Sequence, residues 1–172
     1  MESKEERVKN IILPFKDKLY RFALNIVGDV HDAEDLMQEL MIKIWKRYDQ
    51  FLLIDNQEAW CMTVTRNMAI DKVRSRKVSV HDISEYHTIS DRDPTPEKEI
   101  EQNERMGFIM KLVNELPEKQ RMIVHLRDIE GYTYQEIADI TETTLDFVKV
   151  SLHRARKTLK DRLLNSNFKR ND

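Results

Sequence analysis

The segment from Tyr132 to Leu163 constrains this chain most, because it reads as a short helix, a tight turn and a longer basic helix. A helix pair of that kind has few ways to bury its apolar faces. Thr133 stands just before the short helix and Glu136 follows three residues on, which predicts a capping box in which hydroxyl and carboxylate each satisfy an orphan backbone N–H. Tyr134, Ile137 and Ala138 are then placed to pack on the second helix. There Val148, Leu152, Ala155 and Leu159 recur at i, i+4, i+7 and i+11, a stripe that must face a core. Lys149, His153, Arg154, Arg156, Lys157 and Lys160 lie beside and behind the stripe. The surface near Asp146, Phe147, Val150, Ser151 and Arg154 is left free to enter a major groove. A solvated basic face is the bland reading of any charged helix, but the capped helix and turn upstream favour a DNA-reading helix-turn-helix.

A net charge of −2 looks wrong for such a role, yet the average hides its distribution. Thr143 to Arg170 holds eight Lys/Arg against two acids, and Arg66 to Lys77 holds five against Asp71. The counterweight is partly Lys77 to Asn103, with seven acids against three bases. Within that stretch helical periodicity stops and Pro94 and Pro96 bracket Thr95, so it is expected to be a linker. Only three Gly and four Pro in 172 residues argue against an all-β fold, and no strand-like alternation persists over a useful length. The expectation is an all-α protein of two small helical domains, residues 1–77 and 103–172, joined by a flexible acidic linker at 78–102. Helices are predicted near 5–27, 31–49, 56–77, 103–114, 117–129, 133–140 and 144–165, with Gly28 and Gly131 at helix ends and Pro117 in a first turn. Each half is under about 80 residues, so neither core is expected to be large.

No apolar run approaches the ~18 residues needed to cross a bilayer, and the charged N-terminus is unlike a secretion signal. A cytoplasmic protein is expected. The single cysteine, Cys61, sits among apolar neighbours and reads as a buried thiol. Catalysis finds no footing. Five scattered histidines make no metal motif, no nucleophile motif is present, and three glycines cannot build a phosphate loop. No catalytic residue, metal, cofactor or small-molecule substrate is therefore predicted.

Two further stretches carry information. In Asp32–Trp45 the pairs Leu36/Met37, Leu40/Met41 and Ile44/Trp45 recur one turn apart and are expected to form a buried stripe. Asp35, Gln38, Glu39 and Ile42 fall on the other side, an acidic, partly apolar surface suited to another protein. In residues 56–77, Trp60, Asn67 and Arg74 are spaced by seven and share one helix face. An aromatic ring, an amide and a guanidinium together are what single-stranded DNA recognition uses. The competing reading makes Trp60 a core residue and Arg74 a surface charge.

Taken together, the pieces closely resemble bacterial alternative sigma factors of the extracytoplasmic-function (ECF) group over roughly residues 8–165. YRFALNIVGDVHDAEDLMQELMIKIWKRYDQF followed by EAWCMTVTRNMAIDKVRSRK resembles the second conserved sigma domain. LPEKQRMIVHLRDIEGYTYQEIADI and VKVSLHRARKTL resemble the fourth. The resemblance implies that Asp35, Gln38, Glu39 and Ile42 dock on the β′ clamp helices of core RNA polymerase, with the β subunit a further partner. It implies that Trp60, Arg66, Asn67, Arg74 and Arg76 recognise and open the −10 promoter element, with Asp71 organising the bases around it. For the −35 element it implies Thr144, Phe147, Lys149, Ser151, Arg154 and Arg156, of which Lys149, Arg154 and Arg156 mainly touch phosphate. It also implies promoter DNA as a partner, no bond chemistry by the protein itself, and an anti-sigma factor, often membrane-associated, as a third kind of partner. Two departures stand out. The family's turn commonly carries Gly where this chain has Glu142, which predicts a reshaped turn or a strained backbone. Leu145, Asp146 and Phe147 interrupt the usual small-residue start of the recognition helix, and Ser151 stands where Arg is frequent, so promoter sequence does not carry over. Two rival readings are a stand-alone helix-turn-helix regulator, whose N-terminal helices bind a ligand or dimerise, and a helical enzyme or adaptor with a basic tail helix.

Overall fold

The computed structural model describes residues 3–79 and 97–168, with side chains described for 3–77 and 105–166. Among the described residues the chain is mostly helical, with short turns between helices and no strand. The expected linker falls mostly on residues 80–96, outside the described residues. Its last six positions are helical, because the helix there begins at Glu97 rather than at Asn103.

Nine α-helices are described: α1 Lys4–Ile12, α2 Lys16–Val27, α3 Val30–Lys46, α4 Tyr48–Leu52, α5 Gln57–Ser79, α6 Glu97–Asn114, α7 Glu118–Val124, α8 Tyr134–Thr141 and α9 Leu145–Phe168. The single helix expected over 5–27 is two, because Pro14 cannot donate its backbone nitrogen and the chain tightens into a 3₁₀ turn at Leu13–Phe15. Gly28 ends α2 in the left-handed conformation, φ 69°, and Asp29 caps α3 by accepting from the Asp32 N–H at 2.9 Å. The helix after Pro117 also departs from regularity. It widens into a π turn at His125–Ile129, closed by the Glu130 N–H donating to the His125 carbonyl at 3.0 Å. Pro117 itself precedes the first turn, with extended ψ of 141°, rather than lying in it.

The principal difference from expectation is the core. One continuous cluster of buried side chains runs from Val8 through Phe22, Leu40, Met62 and Ile123 to Ala155, so the two halves share an interior. Phe22 of α2 stacks on His125 at 5.9 Å between ring centroids, α5 packs on α8, and α2 packs on α7. Sharing answers the size problem, since two cores of under ~80 residues each bury proportionally less than one of twice the length. Cys61 is fully buried in it, and burial pushes its thiol up to about 12, so it behaves as the small apolar residue expected.

Candidate nucleic-acid interface

The helix-turn-helix is built from α8 and α9. Both halves of the predicted capping box are present: the Glu136 N–H donates to Thr133 Oγ1 at 3.2 Å, and the Thr133 N–H donates to Glu136 Oε2 at 2.7 Å. Val148, Leu152 and Ala155 are buried and Leu159 packs against them, so the stripe read from the sequence faces the core. Ile137 and Ala138 are buried beneath α9, and Tyr134 is half-buried with the Arg127 guanidinium 4.9 Å from its ring centre. Thr144 accepts from the Phe147 N–H at 3.2 Å, which starts α9 and occupies the hydroxyl oxygen.

Of the six residues predicted on this reading surface, Thr144, Phe147, Lys149, Arg154 and Arg156 are exposed. Ser151 is not. It is 6 % exposed, because 148, 151 and 155 are i, i+3 and i+7 and so lie on the stripe that packs toward α7. Arg156 is exposed but engaged, with both guanidinium arms on the Asp128 carboxylate, which also holds its pKa above the ordinary arginine value. The ion pair fastens α9 to the π turn, a role the spacing of charges did not reveal.

Along α5, Arg66, Asn67 and Arg74 line one wall of a cleft of ≈ 580 Å³ whose other wall carries Lys119, Thr143 and Phe147. Trp60 does not join them. Its ring is half-buried 5.6 Å from Phe51, and heptad spacing on a straight helix drifts enough to carry it toward the core edge. Arg76 turns toward the start of α3, pairing with Asp32 and donating to the Val27 carbonyl at 3.2 Å. Asp71 is exposed beside Arg66 and Arg74 in the cleft wall.

On α3, Asp35, Gln38, Glu39 and Ile42 are all exposed, as expected. The apolar part of this surface is larger than the sequence pattern suggested. Leu36, Leu40 and Ile44 are buried, but Met41 is 37 % and Trp45 52 % exposed, joining Ile42 at 52 %. Leu36, Leu40 and Ile44 lie along the centre of the stripe that packs on the core, so the second member of each pair falls toward its rim. Lys72 of α5 reaches Asp32 at 3.3 Å and Asp35 at 3.4 Å, which ties the acidic edge of α3 to α5.

Three polar clasps cross between the halves. Arg21 Nε and Nη2 each donate at 2.8 Å to one oxygen of Glu130, whose side chain is 1 % exposed. His125 Nε2 lies 3.2 Å from the same carboxylate, and burial pushes the imidazole below its ordinary pKa, against the pull of Glu130. Lys18 and Tyr132 both reach Glu58, the first at 3.1 Å. Arg66 Nη1 meets Glu142 Oε2 at 3.1 Å. Glu142 sits at φ 53° and ψ 45°, the only described residue other than glycine with positive φ, so the turn keeps the left-handed geometry and tolerates the side chain.

Residues 11–78 match the family model described as sigma-70 region 2, and residues 109–159 match that described as sigma-70 region 4. The chain belongs to the sigma-70 family. It is similar to the ECF RNA polymerase sigma factor SigE of Mycolicibacterium smegmatis, 34 % identical over 86 % of this chain and 58 % of that protein. It is also similar to the ECF sigma factor SigW of Bacillus subtilis, 26 % identical over 92 % of this chain and 90 % of the relative. The chain thus spans little more than half of the first relative and most of the second. In structure it resembles the sigma factor RpoE of Bartonella quintana, solved in complex with the anti-sigma factor NepR, with a TM-score of 0.74, 25 % identity and coverage of 92 % and 97 % of the two chains. The fold is also that of CnrH, solved with the cytosolic domain of CnrY, at a TM-score of 0.65 and 18 % identity over 91 % and 86 % of the chains. These likenesses place the chain in the ECF group, and the region 2 match removes the ground for reading the N-terminal helices as a ligand-binding domain of a stand-alone regulator. No described helix is long and apolar enough to cross a membrane.

Proposed function

We propose that this chain is an alternative sigma factor that binds core RNA polymerase and directs promoter-specific initiation through two DNA-reading surfaces. The observation that carries the reading is the pairing, on one chain and in family order, of region 2 with a capped region 4 helix-turn-helix whose α9 exposes Lys149 and Arg154. Neither half would suffice alone: phosphate contacts by exposed bases give affinity without sequence, and base contacts at one element give too little selectivity for a genome.

In this reading α3 docks on the β′ clamp helices through Asp35, Gln38 and Glu39, with Met41, Ile42 and Trp45 supplying the apolar centre that a polar rim alone lacks. Arg66, Asn67 and Arg74 meet the −10 element, and Trp60 supports α5 from behind with its exposed edge available to a flipped base. Arg76 anchors the end of α5 to α3 rather than reaching DNA. Thr144 starts the recognition helix, Phe147 and Arg154 face the −35 bases and backbone, and Lys149 contacts phosphate. The protein holds and positions; the polymerase performs the chemistry. An anti-sigma factor as a regulatory partner follows from the same family reading.

The test is transcription by purified protein with core polymerase on a genomic promoter library. Start-site-specific transcripts that require this chain are expected. Their absence, under conditions where another sigma factor initiates, would overturn the reading.

A further inference from the structure

Two apolar side chains stand exposed near the start of α9, although the helix packs on the core through its other side. Val150 is 47 % exposed and Phe147 37 %. Val150 follows Val148 by two residues and precedes Leu152 by two, so at about 100° per residue it points about 160° away from each of these buried neighbours. Phe147, Val150 and Arg154 stand at i, i+3 and i+7 and share one exposed side. Lys119 of α7 lies over the Phe147 ring, 5.7 Å from its centre, which helps hold the ring at the helix start. The polar side chains at this end of α9 are engaged or unsuited. Ser151 is buried, and the Thr144 hydroxyl oxygen accepts from the Phe147 N–H at 3.2 Å. Asp146 is favoured in the first turn by the positive end of the helix, and its carboxylate is repelled by phosphate.

We propose that Phe147 and Val150 are specificity-determining residues of α9, and that the group they read is the 5-methyl of thymine in the major groove. The proposal rests on the reading of α9 as the −35 helix. Thymine is the one base that presents an apolar group in the major groove, so an apolar side chain there discriminates by contact with that methyl rather than by hydrogen bonding. Three residues of helix rise about 4.5 Å, close to the ~3.4 Å step between neighbouring base pairs, so the two side chains meet adjacent pairs. The bases around them, Lys149, His153, Arg154 and Lys157, are exposed and bring the anionic duplex to this face. Lys149 adds affinity for any sequence, and the apolar pair adds preference for a thymine-bearing step. Taking one methyl out of water is worth a factor of about three to four in binding.

The test selects duplexes from a randomised library with the full chain, alone and with core polymerase, and then scans the selected −35 element by fluorescence anisotropy. Each thymine is replaced in turn by deoxyuridine, which removes the methyl and keeps the base pair. The wild type is expected to lose about three- to four-fold in affinity at each of two adjacent base pairs and nothing at other thymines. V150A should abolish the loss at one of the two pairs and F147A at the other, while V150I keeps it. K149A should weaken thymine and deoxyuridine duplexes by the same factor. Both apolar residues are exposed, so the thermal midpoints of the variants should stay near that of the wild type. No deoxyuridine effect on any selected duplex, an effect that survives unchanged in V150A and F147A, or selection of no duplex at all would overturn the proposal. Selected duplexes without methyl sensitivity leave the sigma-factor reading standing, and a failed transcription assay leaves a measured methyl preference intact.

Discussion

Replacing Arg21 by Met removes the most buried of the clasps and has a calculable signature. Glu130 is 1 % exposed and accepts both guanidinium bonds at 2.8 Å, whereas Arg21 is 49 % exposed. Losing one partner of a fully buried pair costs about 3–5 kcal/mol. Because water reaches the space vacated by a half-exposed arginine, the expected loss is about 1–3 kcal/mol near neutral pH. The pH dependence is the sharper test. In the wild type burial pushes His125 down, Glu130 pulls it up and Arg21 pushes it down again. The imidazole is therefore neutral when folded, the unfolded chain binds the extra proton, and wild-type stability is full above the ordinary histidine pKa of about 6.5 and falls as pH drops below it. Arg21→Met removes one downward push, so the folded variant takes up a proton at higher pH than the folded wild type does. Its penalty must then shrink on acidification, by at most about 1.4 kcal/mol per pH unit for one proton. Urea unfolding of both proteins at pH 7.5 and pH 5.5 measures this, and on a His125→Phe background the share of the pH dependence that the imidazole supplies should be gone. A penalty that is equal or larger at pH 5.5 would refute the coupling.

The other expectations are simpler. Thr133→Ala removes one side of the capping box and should destabilise the protein by about 1 kcal/mol in the same unfolding assay, with loss of function only as far as α8 frays. Reversing Asp35 and Glu39 to Lys should abolish binding to core polymerase while leaving the helical circular-dichroism spectrum and thermal midpoint near those of the wild type; unchanged core affinity would mean that another face docks. Lys149→Ala should flatten the dependence of promoter affinity on log salt concentration by about 0.9, the loss of one phosphate contact, whatever the sequence. Arg156→Ala should move the slope less and the stability by up to about 1 kcal/mol, because its guanidinium is held by Asp128.

How much of this was legible in the sequence depends on the range of the interaction. The capping box, the Val148–Leu152–Ala155 stripe and the Gly28 helix end rest on contacts within a few residues, and the chain spells them out. The exposure of Asp35, Gln38 and Glu39 followed from periodicity for the same reason. What escaped were choices made by distant partners. Ser151 belongs to the stripe at i+3 but looks polar, so only the neighbouring α7 decides that it is buried. Arg76 and Arg156 carry the charge of DNA contacts, yet Asp32 and Asp128 claim them across 44 and 28 residues of chain. His125 gave no motif because its partners, Phe22, Arg21 and Glu130, converge only in space. Glu142 was visible as a departure from the family turn, and its partner Arg66 was not, because nothing local joins residues 76 positions apart.

The central claim is that this chain reads two promoter elements at once, in a register set by the polymerase. The most direct measurement is initiation from a promoter identified with this factor after five base pairs, about half a helical turn, are inserted between the two elements. The account predicts that transcription from that template collapses, and that inserting about ten base pairs does not restore it, because the span as well as the facing is held by polymerase. Initiation at an undiminished rate with either insertion would contradict the claim.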